Sequence, residues 1–221
     1  MLISVLGTGA VGRAIAGRLD DLGHDVTMAT RDPAATAGRD DHSTWAADHP
    51  GVRLAPFAGA AEGADLVVNA LGGDVTLPVL AEVDLAGRVL VDVSNPLDHS
   101  HGFPPRLFVK DDDSLAEMVQ RAHPDAKVVK TLNTMNNAVM VDPGRLGAET
   151  TVFVSGDDAD AKALVTDLLH EIGHTDVLDL GGLDTARGAE MYVVLWVRAA
   201  MALGGSDFGI KVVRGPALGT T

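Results

Sequence analysis

Leu2-Ile3-Ser4-Val5-Leu6-Gly7-Thr8-Gly9-Ala10-Val11-Gly12 opens the chain: an apolar run of strand length, then glycines at the first, third and sixth places of a turn. The next residues, Val11 to Leu22, have helical spacing. Strand, glycine turn and helix in that order form the context in which a GxGxxG pattern binds a dinucleotide. Gly7 permits the tight turn, Gly9 lets the backbone approach a pyrophosphate, and Gly12 allows close packing of helix on strand. The helix N-terminus contributes free N–H groups and partial positive charge. The alternative reading is a glycine-rich turn with no ligand.

Outward from this stretch, short β-branched runs alternate with Ala- and Leu-rich segments. Val26–Ala29, Val52–Ala55, Leu66–Ala70, Val89–Val93 and Val128–Lys130 read as strands with little polar alternation, which marks burial on both faces. Thr76–Val83 and Ser114–Ala122 read as helices between them, and Ser114-Leu115-Ala116-Glu117 has capping-box spacing. The expected fold is α/β, a Rossmann-type doubly wound parallel sheet with a small C-terminal α/β extension. The nucleotide-binding domain is expected over 1–142. The extension, 143–221, should hold a strand at Thr151–Ser155, a helix from Ala159 to Glu171, a strand near Val177–Leu180 and a long helix from Thr185 to Leu203. That last helix is apolar on nearly every side through Met191–Val197, more than one core-facing stripe requires, and suggests a homodimer interface. Arg31–Pro50 and Ser94–Asp113 read as polar, irregular surface, the first with a short helix around Ser43–Asp48.

Composition narrows the function. The 221 residues carry 17 Lys and Arg against 31 Asp and Glu, a formal charge of -14, which opposes nonspecific attraction to nucleic acid or an anionic membrane. Cysteine is absent, closing disulfide, thiolate and cysteine-zinc chemistry. Met1–Gly7 lacks a basic signal region, and Met191–Leu203, interrupted by Arg198, falls short of the roughly 18 apolar residues of a membrane span. The expectation is a cytoplasmic protein with no membrane partner. His99 and His101 in their loop read as exposed polar residues, and Asp111–Asp113 as a complement to the next helix, so no metal site is expected.

The second strand ends in Met28-Ala29-Thr30-Arg31-Asp32-Pro33, where an NAD-binding protein places an acidic residue for the ribose hydroxyls. Thr30 and Arg31 suit a 2′-phosphate instead, because Arg offers bidentate charge-assisted bonds. NADP(H) is favoured; an inward-turned Asp32 would restore NAD. The sole tyrosine, Tyr192, is followed four residues later by Trp196 rather than the Lys that short-chain reductases need. Hydroxyacid dehydrogenases of the β-hydroxy type need a larger helical domain than remains after the sheet. Asp92, near Ser94-Asn95, reads as a backbone hydrogen-bond partner at a strand end, and no catalytic residue is assigned.

Gly7–Gly12, Thr30-Arg31, Val128-Val129-Lys130-Thr131-Leu132-Asn133-Thr134, Ser155-Gly156-Asp157-Asp158, Asp179–Arg187 and Phe208-Gly209-Ile210-Lys211 together resemble the coenzyme F420-dependent NADP oxidoreductases. The likeness spans nearly the whole chain, and related domains occur in membrane metalloreductases. The resemblance implies hydride exchange between NADP(H) and a deazaflavin, coenzyme F420, in a cleft at the carboxyl ends of the strands. It sets Gly7, Thr8, Gly9, Ala10, Val11 and Gly12 around the pyrophosphate and Thr30 and Arg31 at the 2′-phosphate. Asn69, Ala70 and Leu71, then Ser94, Asn95 and Pro96, then Asn133 and Thr134 follow successive strands and should converge on the same crevice, the last two beside the nicotinamide. Asp32, and the Ser94–Asp113 stretch, depart from the family pattern. Two alternatives stand beside this reading: an NADPH-dependent reductase of a small carbonyl or flavin, and a noncatalytic NADP(H) sensor.

Overall fold

The computed structural model describes residues 1–215. In chain order the elements are β1 (Leu2–Leu6), α1 (Ala10–Asp21), β2 (Asp25–Thr30), α2 (Pro33–Ala37), α3 (Asp40–Asp48), β3 (Arg53–Pro56), β4 (Leu66–Asn69), α4 (Gly73–Leu80) and β5 (Val89–Asp92). A hairpin of β6 (Leu97–Asp98) and β7 (Arg106–Leu107) comes next. Beyond it are α5 (Leu115–Ala122), β8 (Lys127–Thr131), α6 (Asn137–Val141), β9 (Thr151–Gly156), α7 (Ala159–Ile172), β10 (Asp176–Gly181) and α8 (Ala186–Leu203).

One eight-stranded sheet runs β10-β9-β8-β5-β4-β1-β2-β3, parallel throughout except where β8 meets β9. The chain fills one side of β1 with β2 and β3, then returns to the other side with β4. The switch point therefore lies between β1 and β4, where doubly wound sheets open a crevice at their carboxyl ends. Leu6 pairs with Asn69 there.

Strand alternation explains why the strands read as continuous apolar runs. Ile3, Val5, Val26, Met28, Leu66, Val68, Val91 and Val129 face a core completed by α1, α6 and α7. Leu6, Ala29, Val67, Leu90 and Val128 face the opposite core, completed by α4, α5 and Ala186 of α8. With helices on both faces, neither side of a strand can remain polar.

The expected strands and long helices are present, with instructive differences at their ends. The helix expected over Thr76–Val83 spans Gly73–Leu80, because glycine serves as its N-cap and the chain turns after Leu80. The Arg31–Pro50 stretch holds α2 as well as α3, and the Ser94–Asp113 stretch holds the hairpin. At the start of α5, Ser114 Oγ accepts from the Glu117 N–H at 3.1 Å, which is half of a capping box. The other half is rewired: Asp113 takes the Ser114 N–H, whereas the Glu117 carboxylate takes the Ser114 hydroxyl and the Arg187 guanidinium. Residues 216–221 of the expected 143–221 extension lie outside the described residues. Within the rest, β9 and β10 continue the main sheet.

Candidate functional site

The glycine turn takes the form its chemistry needs. Gly7 has φ +108°, and a side chain there would press on the Ala70 carbonyl oxygen at 2.9 Å. Any side chain at Gly12 would collide with the Gly7 carbonyl, whereas Gly9 faces open space. Gly9 is also the N-cap of α1 and supplies no capping side chain, and the first turn has no acidic residue. The free N–H groups of α1 are therefore available to an anion, at a terminus with no side-chain cap and no acidic residue in its first turn among the described residues. Gly9 and Ala10 are exposed, Thr8 is buried, and Val11 lines the neighbouring cavity. These features fit a pyrophosphate.

At the end of β2 the Asp32 carboxylate accepts the Ala35 N–H at 2.9 Å and caps α2. Its commitment to α2 leaves Arg31, whose side chain is exposed, as the polar group presented at this strand end. Thr30 is buried with its hydroxyl 2.9 Å from that of Thr36, so its position is held from below. Two further arginines lie near this edge. Arg13 donates to the Thr8 carbonyl at 3.0 Å and to Asp41 at 2.6 Å, and Arg39 pairs with the same carboxylate at 2.7 Å. The hydrogen bonds from Arg39 and then Arg13 hold the Asp41 carboxyl down to about 2.

Beside the glycine turn lies a cavity of about 470 Å³. Of the residues expected at the strand ends, Ala70, Leu71, Ser94, Asn95 and Asn133 line it, together with Val11. Asn69, Pro96 and Thr134 are buried and lie outside the lining. Asn95 and Asn133 form a reciprocal pair: Asn95 Nδ2 donates to the Asn133 carbonyl at 2.9 Å, and Asn133 Nδ2 donates to Asn95 Oδ1 at 3.0 Å. Asn133 Nδ2 also donates to the Ala189 carbonyl at 3.0 Å. Among the described residues no group donates to Asn133 Oδ1, which leaves an amide acceptor for a ligand.

Sequence reasoning missed the opposite wall. Val193, Trp196 and Val197 of α8, Asn136 and Asn137 beside α6, and Leu97 and His99 of the hairpin also line the cavity. Trp196 stacks on Phe208 with ring centroids 5.4 Å apart, so the segment after α8 returns to brace this wall. No spacing in the sequence reveals that α8 folds across the sheet's carboxyl edge.

Beneath the cavity sits a buried charge cluster that sequence reasoning also missed. Lys130 Nζ donates to Asp92 Oδ2 at 2.8 Å, to Glu190 Oε1 at 2.8 Å and to the Ser94 carbonyl at 2.5 Å. All three charged side chains are withdrawn from solvent. Burial alone would drive the Lys130 ammonium toward its neutral form; the two carboxylates outweigh that effect, and its pKa ends above the ordinary lysine value. Asp92 further accepts from Asn69 Nδ2 at 2.8 Å and from the Ser94 hydroxyl at 2.7 Å. Glu190 accepts the free N–H groups of Leu115 at 2.8 Å and Ala116 at 3.1 Å, capping α5 from across the fold. Removing one partner of such a buried pair costs about 3–5 kcal/mol. The available signal was a charged residue in an otherwise apolar run: Lys130 after Val128-Val129, and Glu190 before Met191-Tyr192-Val193.

Comparison with known proteins agrees with this architecture. A profile of the family described as NADP oxidoreductase, coenzyme F420-dependent, matches residues 2–96. The chain is 30% identical over 156 residues to the F420-dependent NADP reductase of Methanocaldococcus jannaschii, covering 69% of this chain and 70% of that protein. It is 28% identical over 190 residues to the metalloreductase STEAP3 of Rattus norvegicus, covering 85% of this chain but only 35% of the rat protein. A crystal structure of a candidate F420-dependent NADP-reductase from Arthrobacter sp. FB24 superposes with a TM-score of 0.93 at 55% identity, covering 96% of this chain and 99% of the other. With the glycine turn, the switch-point crevice and this likeness along most of its length, the chain belongs to the coenzyme F420-dependent NADP oxidoreductase family.

Proposed function

We propose that the protein exchanges a hydride between NADP(H) and coenzyme F420. The observation that carries the NADP half is the pair of neighbours at the end of β2: Asp32 is tied through Oδ1 to the start of α2, and the exposed Arg31 stands beside it to meet a 2′-phosphate. NADP(H) supplies, when bound, a nicotinamide that gives or takes the hydride. The chain's own residues bind and orient. Gly7–Gly12 and the α1 N-terminus receive the pyrophosphate, Thr30 supports the strand end that carries Arg31, and the Asn95–Asn133 pair offers an amide acceptor to the carboxamide. Val11, Trp196 and Val197 give the cavity apolar walls that keep water from a stacked pair of rings.

The deazaflavin half rests on the family and on the cavity's chemistry. Two partners that both carry redox chemistry need no strong acid or base from the protein, and orientation becomes its main contribution. That reading accounts for a cavity lined mostly by amides, methyl groups and an indole, with Asp74 and His99 also in its lining and the charged cluster sealed below it. In this reading residues 1–142 form the nucleotide-binding part and 143–221 the extension whose α8 walls the acceptor side. We further propose that the protein works in the cytoplasm as a homodimer built on α8, with a small redox molecule rather than nucleic acid as its partner; the charge of -14 disfavours nonspecific attraction to nucleic acid.

The assay follows NADPH consumption with coenzyme F420, riboflavin and a panel of small carbonyls, repeated with NADH. The expected result is turnover with F420, at least tenfold faster with NADPH than NADH. Turnover confined to a carbonyl would move the assignment to a carbonyl reductase. Tight NADPH binding without turnover on any acceptor would make the protein a sensor.

A further inference from the structure

Among the described residues, Lys130, Asp92 and Glu190 form a buried charged cluster that the proposed hydride exchange leaves unused. Three apolar side chains would join the same elements with no cost of desolvation, and buried ion pairs replaced by apolar residues of similar volume generally lose no stability. What an apolar trio could not do is set the direction of hydrogen bonds. Apart from the two bonds that Glu190 accepts from the start of α5, the cluster's bonds run to groups behind the cavity wall. Asp92 orients Asn69, whose Oδ1 in turn accepts the Leu71 N–H at 3.3 Å. Lys130 holds the Ser94 carbonyl, one residue before Asn95. Glu190 fixes α8 against α5 one residue after Ala189, whose carbonyl holds Asn133.

We propose that Lys130 and Glu190 are positioning residues for the nicotinamide end of the site: together with Asp92 they set the Asn95–Asn133 pair and the Leu71 backbone at the spacing a carboxamide-bearing ring requires. They touch no ligand. The inference rests on the proposed NADP(H) binding and concerns one end of that ligand only. The pyrophosphate and 2′-phosphate contacts, on the glycine turn and at Arg31, share no hydrogen bond with the cluster.

That separation defines the test. Calorimetry compares NADPH with 2′-phospho-ADP-ribose, which has the same phosphates but lacks the nicotinamide, on the parent and on Glu190→Gln. A glutamine keeps the volume of Glu190 but cannot accept from Lys130 and both α5 N–H groups without setting one donor against another. The parent should bind NADPH more tightly than 2′-phospho-ADP-ribose. In Glu190→Gln that preference should fall at least threefold while the Kd for 2′-phospho-ADP-ribose stays within twofold. Should Glu190→Gln not fold, the triple variant Asp92→Asn, Lys130→Met and Glu190→Gln, which removes all three buried charges together, is read in the same way. An unchanged preference in a folded variant, or an equal loss for both ligands, overturns the inference and leaves the NADP(H) reading intact. A parent with no preference for NADPH over 2′-phospho-ADP-ribose overturns the inference, and a parent that binds neither overturns the reading beneath it.

Discussion

In the proposed reading, Arg31 carries the choice of nucleotide. A guanidinium on a phosphate forms charge-assisted hydrogen bonds worth about 1.5–3 kcal/mol, which converts to about 10- to 100-fold in affinity. Arg31→Ala is therefore expected to weaken NADPH by that factor and to leave NADH within twofold, measured by calorimetry. Equal loss for both nucleotides would remove Arg31 from the 2′-phosphate. At this scale the sequence was readable where a residue's neighbours along the chain determine its role. The three glycines, whose backbone geometry is what their turn requires, belong to that class. Asp32 does too: Asp-Pro before a short helix is an N-cap signature, and the carboxylate does cap α2. Lys130 and Glu190 belong to the opposite class. They lie 60 residues apart in sequence, and nothing local says that a lysine at a strand end meets a glutamate on a distant helix.

At the scale of elements, period and length were the legible quantities. The buried strands showed as apolar runs because helices cover both faces, and α1, α5 and α7 showed by their spacing. The five residues of α2 and the two-residue strands of the hairpin are too short to carry a period. For α8 the sequence showed an excess of apolar residues, and the structure divides them. Ala186, Ala189, Val193 and Val197 face inward, whereas Met191, Val194, Leu195, Met201 and Leu203 stand exposed, Leu195 at 63%. A stripe of this kind marks an association surface. Sedimentation at micromolar concentration is expected to give a dimer, and Leu195→Glu, which would bury a charge in that contact, is expected to give a monomer that still binds NADPH. A parent that sediments as a monomer, or a variant that remains dimeric, would contradict an interface on α8.

For the whole molecule, the switch point between β1 and β4 turns local features into a site. It sets the ends of β4, β5 and β8 and one face of α8 around a cavity beside the glycine turn, and in the proposed function hydride exchange there needs alignment more than acid or base. The parallel, doubly wound character of the sheet followed from the βαβ alternation. The antiparallel entry of β9, and α8 as the far wall, depend on long-range packing that no window of sequence contains. The most direct measurement is isotopic. NADPH carrying deuterium at C4 of the nicotinamide is mixed with oxidised coenzyme F420 and the protein in ordinary water, and the reduced coenzyme is analysed by mass spectrometry. The account predicts that deuterium from one face of the nicotinamide ring appears in reduced F420 without dilution by solvent protons; reduced coenzyme free of deuterium from either face, or no reduction at all, would contradict it.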